Sequence, residues 1–153
     1  MKNKIDIEEI RKKPNRTTLV IVNEISKLFR ESMMQDNIDP IMKERTARLM
    51  LLYLSFKDGV NQQELVYVTQ MKGSTVSIAV KKLEEAGYVK RVPSDHDMRS
   101  MNVFITKKGK EIAEETKNFL CEKDKKIMKG IPERDIRTAK YVLEKMLDNL
   151  IEL

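Results

Sequence analysis

The stretch from Gly73 to Thr106, GSTVSIAVKKLEEAGYVKRVPSDHDMRSMNVFIT, decides the fold. Its first part predicts a helix, because apolar residues recur at helical spacing on one side. These are Val76, Ala79, Val80 and Leu83. Gly87 is expected to end this helix. Two alternating runs, 88–92 and 101–105, flank the polar loop 93–100, a pattern that predicts a β-hairpin. The sequence therefore predicts a helix that leads directly into a hairpin with a charged tip.

The segment before this helix predicts a second, shorter helix. Residues 61–64, NQQE, have capping-box spacing, in which Asn61 accepts a backbone N–H and Glu64 reaches back. Leu65, Val66 and Val68 are expected to point inward. Two short helices joined by a turn that contains glycine form a helix-turn-helix. With the hairpin as a wing, this predicts a winged helix-turn-helix.

Helical periodicity continues on both sides of this unit. On the N-terminal side, one helix is expected from a cap at Asn15 to about Gln35, and an apolar helix from about 41 to 56. On the C-terminal side, Thr106 is expected to cap a long helix, and Pro132 to open a last one. We therefore predict a mainly α fold with a small β-hairpin wing (α+β). Its predicted parts are an N-terminal helical dimerisation segment (1–36), a winged helix-turn-helix DNA-binding domain (37–110) and a C-terminal helical dimerisation segment (111–153).

Charge is concentrated in the predicted winged unit. Residues 72–110 contain nine Lys and Arg against four Asp and Glu, a net +5 out of +6 for all 153 residues. Such a surface favours a polyanionic partner, and double-stranded DNA suits a helix-turn-helix. A solvated, lysine-rich surface is the alternative explanation of the charge alone.

Composition argues against several other classes of protein. The single cysteine, Cys121, excludes an intrachain disulfide, and no apolar stretch approaches the roughly 18–20 residues of a membrane span. We expect a soluble, cytoplasmic protein. There is no nucleophile–base pair, metal-ligand cluster or phosphate-binding glycine loop, so we expect no enzymatic activity and no cofactor. Cys121 lies among Glu122, Lys123 and Asp124 rather than in an electropositive setting, which does not favour a redox role.

The predicted DNA contacts lie on the helix from residue 74 and on the hairpin. Ser and Thr can hydrogen-bond bases or phosphates, Ile78 suits an apolar edge such as a thymine methyl group, and lysines suit phosphates. The candidate DNA-binding residues are Ser74, Thr75, Ser77, Ile78, Lys81, Lys82, Arg91, His96 and Arg99. An amphipathic surface helix without a DNA role is the alternative.

The residues at the hairpin tip predict a separate role in DNA contact or in bracing the wing. Arg99 is suited to a narrow minor groove or to bracing the wing, and Asp97 is placed to orient its guanidinium. We expect no metal site at Asp95, His96 and Asp97, because adjacent loop residues do not readily assemble a closed site.

The same residues resemble the MarR family of bacterial transcription regulators. Residues 97–100 (DMRS) followed by Val103, Ile105 and Thr106 are similar to that family's wing signature, and residues 61–91 are similar to its helix-turn-helix. The resemblance covers about 60–110. Two residues depart from the family pattern: Ile78 stands where many members have Arg, and Met98 replaces a common Arg.

The resemblance implies a homodimer with interlocking terminal helices, bound to a pseudo-palindromic operator. It also implies a repressor that a small aromatic effector can release. The alternative is a winged-helix protein–protein interaction module without specific DNA binding, which the +5 charge and Arg99 disfavour.

Overall fold

Helices dominate the part of the chain that the computed structural model describes, residues 16–94 and 101–153. A small antiparallel sheet accompanies them, which confirms the predicted mainly α fold with a wing. The chain divides into two units, residues 1–43 and 44–153. Within the described ranges, no helix combines the length and apolarity of a membrane span.

The first unit contains helix α1 (Thr18–Gln35) and the single turn α2 (Pro40–Lys43). The cap of α1 is Thr17, whose side chain accepts from the backbone N–H of Val20 at 3.4 Å, so the predicted cap at Asn15 is wrong. The predicted end at Gln35 is confirmed. The Lys43 ammonium donates to the carbonyl of Met34 at 3.0 Å and ties α2 to the end of α1.

The second unit contains the winged helix and the two C-terminal helices. Its elements are α3 (Arg45–Phe56), β1 (Val60–Asn61), α4 (Gln62–Thr69), α5 (Gly73–Glu85), β2 (Val89–Pro93), β3 (Met101–Ile105), α6 (Lys107–Ile127) and α7 (Glu133–Ile151). Thr106 caps α6 as predicted, since its hydroxyl accepts from the N–H of Gly109 at 3.0 Å. Pro132 is the residue just before α7.

The apolar helix predicted over 41–56 is interrupted. Glu44 has an extended backbone (φ −74°, ψ 119°) and forms the N-cap residue of α3, so the run is shared between α2 and α3. Neither glycine nor proline stands in this run, since Pro40 comes just before it, so composition gives no sign of the break.

The wing belongs to a three-stranded sheet rather than to a hairpin alone. The strand order is β1-β3-β2, with Val60 opposite Val103 and Arg91 opposite Val103 on the other side. The Asp58 carboxylate reinforces the β1 side, because it accepts from the backbone N–H of Ile105 at 2.8 Å. β3 is therefore held on both edges.

The core of the second unit forms where α3, α4, α5, the sheet and α6 meet. Its fully or nearly fully buried side chains include Ala47, Met50, Leu51, Leu54, Val60, Leu65, Val76, Val80, Leu83, Val103 and Ala113. In α4, the structure buries Leu65 and Thr69, while Val66 and Val68 are only half-buried, so the predicted inward stripe of α4 is only partly correct. α7 buries none of its residues.

Candidate nucleic-acid interface

Helix α5 has one buried side and one exposed side, as its sequence predicts. Val76, Ala79, Val80 and Leu83 are at most 4% exposed and anchor the helix to the core. The opposite side presents Ser74, Thr75, Ser77, Ile78 and Lys81 to solvent. Ile78 is 60% exposed, a large apolar side chain with no core role.

The start of α5 is left open. Its N-cap residue, Lys72, makes no side-chain capping bond, so no N-cap side chain accepts from the N–H groups of the first turn. Such N–H groups, with the positive end of the helix dipole, suit an anionic acceptor such as a phosphate. The left-handed residue of the preceding turn is Gln70 (φ 55°), which follows the end of α4 at Thr69.

A groove lies between the start of α4 and the start of α5. It has a volume of about 360 Å³, is open to solvent, and is lined by Gln62, Gln63, Val66, Gly73, Ser74 and Ser77. Across it, the Gln62 amide Nε2 donates to Ser77 Oγ at 2.8 Å. The sequence prediction included Ser77 and missed Gln62. The available signal was the cap at Asn61, which makes Gln62 the first residue of α4.

Three of the predicted DNA-contacting cations have acidic partners within the second unit. Lys82 Nζ lies 2.7 Å from a Glu44 carboxylate oxygen, and Arg91 Nε donates to Glu84 at 3.0 Å. Lys81 lies 3.8 Å from Glu85, one helical turn away. Lysine and arginine at this face are thus only partly neutralised, and Lys81 keeps a largely exposed side chain.

The Arg91–Glu84 pair joins the wing strand β2 to α5. The hydrogen bond from the Arg91 guanidinium lowers the pKa of the Glu84 carboxyl below its ordinary value and raises the pKa of Arg91. Both groups therefore stay charged at neutral pH. The pair fixes the orientation of the wing strand relative to the exposed side of α5.

A second polar cluster joins α3 to α4. Asn61 caps α4 as predicted, accepting from the backbone N–H of Glu64 at 2.9 Å. The Glu64 carboxylate does not reach back to Asn61. It accepts from the Tyr53 hydroxyl and from Lys57 Nζ, the latter at 2.6 Å, which corrects the predicted capping box. The hydrogen bond from Lys57, and to a smaller extent the one from Tyr53, lowers the pKa of Glu64.

The hairpin tip is outside the described residues. The predicted roles of His96, Arg99 and Asp97 therefore remain predictions. Among the described residues, no group of three or more His, Cys, Asp or Glu side chains is arranged to hold a metal ion.

Comparison with known proteins identifies this region. A sequence model described as "MarR family" matches residues 44–100. The HTH-type transcriptional regulator BilQ of Clostridium symbiosum is 24% identical over 122 residues, which cover 78% of this chain and 85% of the relative. The uncharacterized HTH-type transcriptional regulator YybA of Bacillus subtilis is 28% identical over 68 residues, 44% of this chain, and the match spans only 45% of that relative's length.

A solved structure extends the similarity along the chain. The crystal structure of a MarR transcriptional regulator from Methanosarcina mazei Go1 is 28% identical, covers 86% of this chain and 96% of its own, and superposes with a TM-score of 0.72. These relatives are transcription regulators and not enzymes, in agreement with the prediction from the sequence. Residues 44–100 thus match the MarR family model, and most of the chain is similar to a solved MarR transcriptional regulator.

Proposed function

We propose that this protein is a dimeric repressor that reads a pseudo-palindromic operator with the exposed side of α5. The observation that carries the proposal is the row of small polar side chains Ser74, Thr75 and Ser77 at the open start of a helix whose other side is buried. A major groove admits one α-helix, and the N-terminal residues of a recognition helix meet the base edges.

The electrostatics of the region support this orientation. The sequence that contains α5, residues 72–110, carries an excess of basic residues, and the first turn of α5 adds the positive end of a helix dipole. We assign Lys81 and Lys82 to DNA phosphates and Ile78 to an apolar edge of a nucleobase. Arg91, on the wing strand β2, is assigned to DNA contact beside the wing. Arg99, oriented by Asp97, is assigned to the minor groove, with His96 beside it at the tip.

The proposed dimer uses apolar surface that each unit leaves exposed. In the second unit, α7 exposes Leu143, Leu147 and Leu150 to between 47% and 58%. In the first unit, Leu19 and Ile25 on α1 are more than half exposed. Continuous apolar faces of this kind mark association surfaces, and a second copy of the same chain is the simplest occupant.

The proposed function includes repression of a promoter and release from the operator by a small effector. A dimer bound across a promoter would exclude polymerase, and a small aromatic acid that favours a different dimer geometry would lower its affinity for the operator. Such a protein acts where the chromosome is, so we place it in the cytoplasm. Competition of a bound operator with benzoate tests the class of effector, and an unchanged operator affinity at saturating benzoate would argue against it.

Selection of binding sites from a random DNA pool, followed by binding at several salt concentrations, tests the proposed function. We expect an enriched site with two-fold symmetry, half-sites about 34–36 Å apart, and an affinity that falls steeply with salt. Absence of any enriched sequence, or binding that does not respond to salt, would instead favour the protein–protein interaction module.

Arg99→Ala tests the assignment of the wing. We expect weaker binding to the selected operator with an unchanged dimer and an unchanged unfolding midpoint. Equal affinity of the variant and the wild-type protein for that operator would remove Arg99 from the interface.

A further inference from the structure

We infer that Gln62 is a specificity-determining positioning residue, which holds the Ser77 hydroxyl as a hydrogen-bond donor toward the DNA bases. The inference rests on the proposed function and deepens it. It concerns the DNA base to which Ser77 donates, and it assigns a role to a residue on α4 rather than on the recognition helix.

The structure orients the Gln62 amide as the donor of this hydrogen bond. Gln62 Nε2 donates to Ser77 Oγ at 2.8 Å, so a lone pair of the hydroxyl oxygen is occupied from the α4 side. A serine hydroxyl has one proton and two lone pairs, and its proton rotates to suit its surroundings. With an amide N–H on one side, the proton of Ser77 turns away from Gln62. Ser77 is exposed at the groove, so that proton is available to an acceptor on the open side.

Gln62 is itself well anchored. It follows Asn61, whose side chain caps α4 and whose backbone lies opposite Asn102 in the β1–β3 ladder. The backbone of Gln62 is therefore fixed by the sheet that carries the wing, and Ser77 is fixed by the buried residues Val76 and Val80 beside it on α5. Both ends of the hydrogen bond belong to rigid elements, as precise recognition requires.

A donor at this position selects among base edges. In the major groove, guanine offers N7 and O6 as acceptors, adenine offers N7 and thymine offers O4, whereas cytosine offers only its N4 amino donor. Ser77 held as a donor should therefore disfavour cytosine at the base it meets. An unconstrained hydroxyl would accept from cytosine as readily as it donates to the other bases.

Gln62→Glu reverses the direction of the hydrogen bond with a side chain of the same length. A carboxylate only accepts, so the Ser77 proton would turn toward Glu, and the hydroxyl would present lone pairs to the DNA. We expect the preference at one position of each half-site to shift toward cytosine by about two- to tenfold, the range of one hydrogen bond. Relative affinities for all single-base variants of the selected operator measure this shift.

Gln63→Glu is the matched control. Gln63 is the next residue, lines the same groove, and receives the same added negative charge. We expect it to weaken binding to every operator variant alike, because its charge repels phosphates without touching Ser77. Equal, uniform losses in Gln62→Glu and Gln63→Glu would overturn the inference.

Two further variants make the test independent of the added charge. Gln62→Met has a similar length and removes the amide donor, and Ser77→Ala removes the hydroxyl. Both should flatten the preference at the same single position, and Gln62→Glu in the Ser77→Ala background should change no base preference further. A preference profile in Gln62→Met identical to that of the wild-type protein would also overturn the inference. Thermal unfolding midpoints within the wild-type range ensure that folded proteins are compared.

The base preferences of the wild-type protein distinguish a failure of the proposed function from a failure of the inference about Gln62. A wild-type protein that selects no sequence overturns the proposed function and the inference with it. A wild-type protein that selects an operator, with a preference insensitive to Gln62, leaves the proposed function standing and overturns the inference alone.

Discussion

Lys82 on α5 and Glu44, the residue before α3, form an ion pair in which the ammonium nitrogen lies 2.7 and 2.9 Å from the two carboxylate oxygens. The same ammonium is the one we assign to a DNA phosphate. A phosphate must therefore compete with Glu44 for Lys82. The carboxylate lowers the contribution of this lysine to DNA binding and keeps its side chain ordered in the free protein.

Removing the competing carboxylate should strengthen DNA binding. We expect Glu44→Gln to increase the affinity for operator and non-operator DNA by similar factors, because a phosphate contact carries no sequence information. Lys82→Ala should weaken all sequences alike and lower the salt slope by about one. Fluorescence anisotropy over a range of salt concentrations measures both effects.

The control for the charge change is Glu115→Gln, on the exposed side of α6. It alters the net charge by the same amount as Glu44→Gln, at a position outside the proposed interface. If the two variants raise the affinity equally, the effect belongs to net charge and not to the Lys82–Glu44 pair. A loss confined to one base position in Lys82→Ala would mean that Lys82 reads a base.

Gly109 is required by a close approach between α6 and Tyr88, the residue just before β2. A Cβ at this position would lie 2.0 Å from the backbone carbonyl oxygen of Tyr88. Since backbone atoms cannot move aside cheaply, we expect Gly109→Ala to lower the free energy of unfolding by about 1–3 kcal/mol or more. Urea denaturation measures the change.

Gly73→Ala is the contrasting variant, since a Cβ there meets no atom within 4 Å. We expect its free energy of unfolding to stay within about 1 kcal/mol of the wild-type value. Similar losses in the two variants would show that loss of glycine itself, rather than the contact with Tyr88, governs the stability at Gly109.

The features that the sequence predicted are the ones that local patterns determine. The buried stripe of α5 depends only on a period of 3.6 residues, and the caps at Asn61 and Thr106 depend on residues three positions away. The missed features depend on contacts between distant segments. β1 is two residues long, too short for alternation to be visible, and it exists because Val60 meets Val103.

The same distinction applies to the candidate interface. Which side of α5 is exposed follows from its apolar stripe, so Ser74, Thr75 and Ser77 were predictable. The partners of that surface were not. Gln62 reaches Ser77 only because α4 and α5 cross at this point. Likewise, the capping-box pattern predicted that Glu64 would bond to Asn61, whereas the packing of α3 brings Tyr53 and Lys57 to the Glu64 carboxylate.

The Glu64 cluster makes stability depend on pH in a definite direction. Its hydrogen bonds lower the pKa of Glu64 in the folded protein below the ordinary 4.5, the value expected in the unfolded chain. A lowered pKa contributes stability that is fully present above the unfolded pKa and is lost as the pH falls through the folded pKa. We expect the wild-type protein to exceed Glu64→Gln in stability above about pH 4.5 and the difference to shrink in more acidic solution.

Urea unfolding curves of both proteins between neutral and strongly acidic pH test this dependence. Glu115→Gln again controls for the loss of one negative charge elsewhere on the second unit. If the stability difference between the wild-type protein and Glu64→Gln stays constant through acidification, then protonation of Glu64 does not remove the stability that its bonds to Tyr53 and Lys57 contribute.

The exposed apolar face of α7 supplies the test of the proposed dimer. Leu147 is 58% exposed and no residue of α7 is buried, so the helix gains little from its own chain. In a two-fold symmetric interface each substitution occurs twice, and an unpaired carboxylate in an apolar contact is costly to desolvate. We therefore expect Leu147→Glu to raise the dimer dissociation constant by roughly a hundredfold or more.

Sedimentation equilibrium of Leu147→Glu, beside Asn149→Glu, measures this change. Asn149 lies two residues further along α7, away from the leucine stripe, and the same charge there should leave the dimer intact. Because each protomer alone meets only one half-site, the monomeric Leu147→Glu variant should also lose most of its operator affinity while keeping its helical content. A Leu147→Glu variant that remains dimeric would place the interface on another surface.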